Sequence, residues 1–169
     1  MPTNFYMWFV AGLIPLVVGA LYYNEKTLGA TWMKLNGFTA ESMKGANMAV
    51  IFGATYVFSV FLAMSLTGAT IHQGGAFQMM MPDVMESGSA AQKQFNDLMS
   101  QYGGNFRTFG HGALHGVLAA LMFAMPIIAI NALFERRGWK YIFIHTGYWL
   151  ICLTLMGGLL CATLQYAPL

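Results

Sequence analysis

The chain has 169 residues, of which 57% are hydrophobic and only 8% are charged. A soluble domain carries roughly 25% charged residues, so most of this surface is not adapted to water. The formal net charge of +2, with its basic residues scattered along the chain, argues against a nucleic-acid partner. The composition predicts an integral membrane protein whose first partner is the lipid bilayer.

Four apolar runs follow one another along the chain, and none contains Lys, Arg, Asp or Glu. Each reaches the roughly 20 residues that a helix needs to cross a hydrocarbon core about 30 Å thick. A spanning segment must satisfy its own backbone hydrogen bonds, and the short alternating strands of a barrel are missing, so helices are predicted. The predicted fold is an all-α, four-helix transmembrane bundle that forms one domain over residues 1–169. Its spans are residues 4–23, 47–71, 109–134 and 141–164.

The first run could be mistaken for a signal peptide, because Val18-Gly19-Ala20 resembles a cleavage site. No Lys or Arg precedes the run, so a transmembrane helix is the preferred interpretation. The loop that follows, residues 24–46, mixes Trp32 and Phe38 with polar groups, which predicts a segment lying in the membrane interface. Residues 39–42 suggest the start of a short helix, although the strict capping-box spacing is absent.

The loop after the second run is long and has a pattern of its own. Between Ala90 and Tyr102 the apolar residues Phe95, Leu98 and Met99 recur on one helical face. This periodicity predicts a short amphipathic helix in the outer loop. The turn 135–139 is tight, so the third and fourth helices are expected to be antiparallel neighbours.

The basic residues of the loops predict the orientation. The first and third loops share a side and carry six of them, which are Lys26, Lys34, Lys44, Arg136, Arg137 and Lys140. The second loop carries only Lys93 and Arg107. The positive-inside rule then places the first and third loops in the cytoplasm. The sequence therefore predicts a multi-pass membrane protein with both termini outside the cytoplasm.

Small residues mark the expected packing faces. Gly112 and Gly116 open the third helix four residues apart, and Gly157 and Gly158 lie in the middle of the fourth. Such residues let helix backbones approach closely. Packing within the bundle is preferred over packing between subunits.

Three histidines near the outer side form the candidate metal or haem site. His111 and His115 lie at i and i+4 on one face of the third helix, and His72 closes the second helix. Imidazoles so arranged can bind a metal ion, and haem would take one histidine from each of two helices. The outer methionines Met79, Met80, Met81 and Met85 could add soft ligands for copper. The alternative, hydrogen bonding to loop backbone or water, is favoured, and no cofactor is required by the sequence.

A second polar group is predicted at the opposite end of the bundle, where Asn131, His145 and Tyr148 fall at one depth. Asn131 and His145 are expected to be in contact or nearly so. Hydrogen bonds between such groups stabilise membrane bundles by about 0.6–2 kcal/mol, and that structural role is preferred.

Solute passage and catalysis have less support. A path across the membrane would need polar groups through its full depth, and the middle offers little beyond Tyr56, Ser59 and Thr154. Ser65 and Thr67 lie near His72, but no carboxylate is placed to orient that histidine for nucleophilic catalysis.

Several motifs resemble a known family. They include Gly19-Ala20-Leu21-Tyr22-Tyr23-Asn24 and His111-Gly112-Ala113-Leu114-His115-Gly116. They also include Asn131-Ala132-Leu133-Phe134-Glu135-Arg136-Arg137 and Gly147-Tyr148-Trp149. Together they resemble the bacterial membrane family called domain of unknown function 1761, in the version found in the Bacteroidetes. The resemblance covers nearly the whole chain and implies a four-helix inner-membrane protein. It implies no activity and assigns no functional residue.

The preferred functional interpretation is a non-enzymatic membrane protein, a subunit or stabiliser of a larger assembly with other membrane proteins or with copies of itself. Two alternatives stay open. One is a metal- or haem-binding bundle that uses the outer-side histidines, and the other is a small-solute channel or carrier.

Overall fold

The computed structural model describes residues 2–166 and Leu169. This part of the chain is helical and contains no strand beyond an isolated bridge between Pro2 and Tyr166. The all-α class is therefore confirmed. In chain order the helices are α1 (Tyr6–Gly12), α2 (Ile14–Tyr22), α3 (Gly29–Asn36), α4 (Ala40–Met43), α5 (Met48–Thr70), α6 (Gln73–Met79), α7 (Ala90–Tyr102), α8 (Phe109–Ala119), α9 (Met125–Phe134) and α10 (Trp139–Thr163).

Among the described residues, three helices are long and apolar enough to cross a membrane. They are α5, the continuous segment Phe109–Phe134 that contains α8 and α9, and α10. These helices are compatible with a multi-pass membrane protein. The apolar segment Tyr6–Tyr22 is shorter than the other three, and it is divided into α1 and α2 at Leu13.

Proline explains the irregularities in two of the apolar segments. Pro15 follows the break at Leu13, and a proline nitrogen cannot donate to the carbonyl four residues earlier. In the segment Phe109–Phe134, one π-helical turn at Ala120–Ala124 precedes Pro126. A π turn accommodates the carbonyl that proline leaves without its helical partner.

Helix α10 is the centre of the fold, and its buried residues Leu153, Met156 and Leu160 join a core with Ala63 of α5 and Ala120. Its contact with α8 is made by backbone. A Cβ placed on Gly112 would meet the carbonyl oxygen of Gly157, and one on Gly116 would meet that of Leu153. A Cβ on Gly158 would lie 2.6 Å from the Phe109 ring. The structure thus places all four predicted glycines between these two helices of the same chain.

Polar side chains add bonds between helices. The indole nitrogen of Trp8 donates to the Thr67 hydroxyl at 2.9 Å. The hydroxyl of Tyr148 donates to the carbonyl of Pro15, also at 2.9 Å. These bonds tie α1 to α5 and α2 to α10, so the shorter apolar segment belongs to the same packed body as the longer helices.

The first loop is held by aromatic packing and by the third loop. The ring centroid of Trp32 lies 5.4 Å from that of Tyr23 and 5.3 Å from that of Phe38. Arg137 donates from Nη1 to the Leu35 carbonyl at 2.9 Å, so the first and third loops lie on the same side. Helix α4 does begin with a capping box, because Ser42 takes the position at which Glu or Gln is usual.

The long loop between α5 and α8 contains the predicted amphipathic helix, now α7, with the expected ends. Ser89 caps it by accepting from the Gln92 amide at 3.0 Å. Phe95 is buried and packs on Phe77, with ring centroids 5.8 Å apart. Phe77 belongs to α6, a helix that the sequence pattern did not predict. Helices α6 and α7 therefore pack on each other within this loop.

Candidate metal centre

The histidines His72, His111 and His115 converge. The Nε2 atoms of His72 and His111 are 2.9 Å apart, within hydrogen-bond distance. The ring centroid of His115 lies 5.0 Å from that of His72 and 4.6 Å from that of His111. One ring nitrogen from each histidine can be chosen so that all three lie within 4.8 Å of one another.

Two local structures place these side chains. Helix α8 begins at a Thr108 cap, whose hydroxyl accepts from the His111 amide at 3.3 Å. Because His111 and His115 are four positions apart in this helix, their side chains lie on the same face. On the other side, Ile71 is buried and fixes the end of α5, so His72 directly follows an anchored residue.

Gln73 secures the segment after His72. Its Nε2 atom donates to the carbonyls of Gly103 and Asn105, at 2.9 and 3.0 Å. These carbonyls lie just before α8 in the chain. The two segments that carry the histidines are therefore bonded to each other beside the cluster.

Phe106 lies against the cluster in an unusual backbone conformation. Its φ of 62° is in the left-handed region, which few residues with a bulky side chain adopt. Its ring centroid is 5.8 Å from that of His72 and 5.0 Å from that of His111. Its carbonyl accepts from the Cys161 thiol at 3.2 Å. Residues that their surroundings hold in a strained backbone conformation cluster at functional sites. The backbone of Phe106 therefore points to the same site as the three histidines.

Arg107 fixes this segment from the other side. Its guanidinium donates to the carbonyl of Leu164 and stands over the ring of Tyr166, 5.9 Å from the centroid. Burial raises the pKa of the Tyr166 hydroxyl, and the charge of Arg107 lowers it in part. The ring thus offers a neutral face to the cation.

The spacing suits a bare metal ion better than a haem. Two nitrogens on a tetrahedral zinc ion, each about 2.0–2.1 Å from the metal, are about 3.3 Å apart. The observed separations of the ligand atoms, 2.9 Å for one pair and at most 4.8 Å for all, need only small side-chain rotations to reach that value. A haem held between His72 and His111 would have to fit its macrocycle between two nitrogens in hydrogen-bond contact.

A cavity of about 190 Å³ adjoins His72, and Met99, Tyr102 and Phe106 are among its lining residues. Met99 is thus the methionine that lines this cavity. The methionines considered as copper ligands are placed differently: Met79 is 87% exposed, and none of Met79, Met80, Met81 and Met85 lines this cavity.

The second predicted polar group is only partly brought together. His145 and Asn131 line one cavity of about 170 Å³, but no hydrogen bond joins them in the described part of the chain. His145 instead pairs through Nδ1 with the hydroxyl of Tyr23 at 3.3 Å. The hydroxyl of Tyr148 donates to the carbonyl of Pro15 instead. The contact between Tyr23 and His145 was not predicted. Tyr23 ends the first apolar run on the side of the bundle where His145 lies, and that position was a usable signal.

Fold and site together define a small all-helical protein with several membrane-length apolar helices and a three-histidine cluster where two of them meet. Residues 6–161 match the sequence model of a family described as protein of unknown function, DUF1761. The chain belongs to that family. The predicted family is therefore confirmed, whereas the likeness to its Bacteroidetes members stays a prediction. No curated protein and no solved structure matches the chain. Because the family has no described activity, the function must be argued from the site.

Proposed function

We infer that this protein is a multi-pass membrane protein that binds one transition-metal ion through His72, His111 and His115. The observation that carries the inference is the convergence of one ligand nitrogen from each histidine within 4.8 Å. Three imidazoles are a sufficient protein ligand set for a divalent ion such as zinc.

Hydrogen bonding alone explains less of the arrangement. The bond between His72 and His111 uses one ring nitrogen of each as donor and acceptor. That bond does not explain why the ring of His115 lies close to both of the other rings. A metal ion uses all three histidines and links residues that are 39 positions apart in the chain.

The chemistry of the three ligands limits the choice of metal ion. Neutral imidazoles suit zinc, copper, nickel and iron, whereas magnesium and calcium prefer oxygen ligands. Among the described residues, the cluster that could hold an ion consists of histidines and includes no carboxylate. Three protein ligands leave one position of a tetrahedral ion for water or another small molecule. The cavity beside His72 offers room for that fourth ligand.

Direct metal titration tests the inference. The protein in mild detergent is expected to bind about one equivalent of zinc or copper, because three histidines form one site. The double substitution His111→Ala/His115→Ala should abolish this binding without loss of helicity, whereas His145→Ala, at the other end of the bundle, should leave it intact. Equal metal content in the double variant and the parent protein would overturn the proposal.

We also propose the finer topology: four spans in the inner membrane, the first and third loops in the cytoplasm and both termini outside. The asymmetry of Lys and Arg supports this orientation. The bond between Arg137 and the Leu35 carbonyl supports a shared side for the two loops.

Thiol labelling in intact cells tests the orientation. A Gly45→Cys substitution places a thiol in the first loop, where an added Cβ meets nothing within 4 Å, and Ser87→Cys places one in the exposed outer loop. The native Cys152 and Cys161 are buried and should stay silent. A membrane-impermeant reagent is expected to label only Ser87→Cys. Labelling of Gly45→Cys from outside would reverse the orientation.

A role as subunit or stabiliser of an assembly is the second candidate. One observation favours it: the outer loop exposes apolar side chains, with Met79 87% exposed and Met85 59% exposed. Large apolar side chains exposed outside the spanning helices are available for contact with a partner. Affinity purification from native membranes would contradict this role if it returned the chain alone as a monomer.

A further inference from the structure

A second cavity, of about 170 Å³, lies between α9 and α10, at the end of these helices away from the histidine cluster. The residues of its lining that can take part in polar recognition are Asn131, Glu135, Tyr141, His145 and Trp149. Glu135 directly follows α9, and Asn131 lies four residues earlier, about 6 Å deeper along the helix axis. In a membrane-spanning bundle this is the depth of the lipid headgroups.

His145 contributes a ring nitrogen that lacks a partner. Its Nε2 atom is buried and makes no hydrogen bond within the described residues. Its Nδ1 atom faces the Tyr23 hydroxyl at 3.3 Å. If Nδ1 carries the proton and donates to Tyr23, Nε2 is an acceptor that points at no protein donor. Buried polar atoms are rarely left unpaired, so such an atom beside a cavity indicates a missing donor.

The charge of the cavity favours a cation. Glu135 is the one charged residue of the lining. The nearest cation is Arg137, whose Nε lies 3.7 Å from the Glu135 carboxylate, longer than a hydrogen bond. Its Nη1 donates to the Leu35 carbonyl instead, and its guanidinium stands over Tyr141 at 5.5 Å from the ring centroid. The carboxylate therefore keeps acceptor capacity for another partner.

We propose that this cavity binds a primary alkylammonium group. Such a group has three N–H donors, and the lining residues carry three candidate acceptors: the carboxylate of Glu135, the amide oxygen of Asn131 and, in the tautomer with Nδ1 protonated, Nε2 of His145. The adjacent Trp149 ring can add a cation–π contact. The same ammonium chemistry is offered by the headgroup of phosphatidylethanolamine and by a soluble amine such as ethanolamine. The proposal is independent of metal binding, because no residue is shared between the two sites.

Lipid competition in detergent tests the site. The delipidated full-length protein is examined by native mass spectrometry with phosphatidylethanolamine, with phosphatidylcholine and with phosphatidylglycerol, each at equal acyl composition. Phosphatidylcholine retains the positive charge but has no N–H donor, so it isolates the hydrogen-bond requirement. The expected preference for phosphatidylethanolamine over phosphatidylcholine is at least about tenfold in affinity, the size of one charge-assisted hydrogen bond. Free ethanolamine, added as a competitor, distinguishes the two sources of the ammonium group.

The substitution Glu135→Gln is expected to remove most of that preference, and Glu86→Gln, in the outer loop, serves as the matched control. Glu135 is exposed, so its replacement should leave the fold intact. Displacement of the lipid by millimolar ethanolamine would assign the site to soluble amines, and retention of the lipid would assign it to the headgroup. Equal binding of all three lipids, or an unchanged preference in Glu135→Gln, would overturn the proposal.

Discussion

Replacement of Gly116 by alanine is expected to lower the free energy of unfolding by about 3 kcal/mol, the upper part of the range for overpacked cores. The added Cβ would overlap the Leu153 carbonyl and lie 2.7 Å from the Cα atom of Thr154. Both obstacles are backbone atoms of α10, so no side-chain rotation can relieve the contact. Helices α8 and α10 would have to separate along their whole interface.

Gly110→Ala is the matched control on the same helix. A Cβ at that position meets nothing within 4 Å, and the position is exposed. Alanine favours the helix over glycine by about 1 kcal/mol, so this variant should be as stable as the parent or slightly more stable. Denaturant unfolding in mixed micelles, followed by circular dichroism, measures both variants. Equal midpoints for Gly116→Ala and Gly110→Ala would contradict the backbone contact between α8 and α10.

The sequence predicts the long helices because their signal is composition alone. The second apolar run, predicted as residues 47–71, is α5 from Met48 to Thr70, and the third is Phe109–Phe134. The predicted fourth span begins two residues later than α10 begins, because Trp139 and Lys140 form the first turn of the helix but are not part of the apolar run. The first run was predicted as one span, and the structure divides it at Leu13, before Pro15. Apolar periodicity cannot show such a break, but a proline in the run is the signal for it.

The candidate metal centre is predictable only in part. The i, i+4 spacing places His111 and His115 on one face, and hydropathy places His72 at the same depth. The sequence does not show which face of α8 is turned towards α5. That orientation depends on helix packing, including the contact between α8 and α10 that the glycines allow. The contributions of Phe106 and Gln73 come from an irregular loop, where no periodic pattern reports side-chain direction. The same reason explains why α6 was missed between Gln73 and Met79.

The histidine cluster brings together two segments that a long loop separates in the chain. This arrangement determines how a bound metal ion would change the stability of the fold. His72 follows α5, whereas His111 and His115 belong to α8. An ion held by all three crosslinks these helices where the end of α5 meets the start of α8, and it binds the folded state much better than an unfolded one. Its stabilisation therefore follows mass action and reaches about 4 kcal/mol at a free metal concentration about 1,000 times the dissociation constant.

Zinc titration followed by thermal unfolding is expected to show this linkage as a rise in the midpoint that grows with the logarithm of free zinc and is reversed by a chelator. His72→Ala should lose most of the rise, because the remaining two histidines lie on one helix and crosslink nothing. His145→Ala should retain the full rise. Acidification should abolish the gain in every variant that shows it, because only neutral imidazole binds the metal, and protonation of the three rings competes with the ion. A zinc-dependent rise of equal size in His72→Ala would mean that the metal binds outside the three-histidine cluster, and the crosslink between α5 and α8 would be refuted.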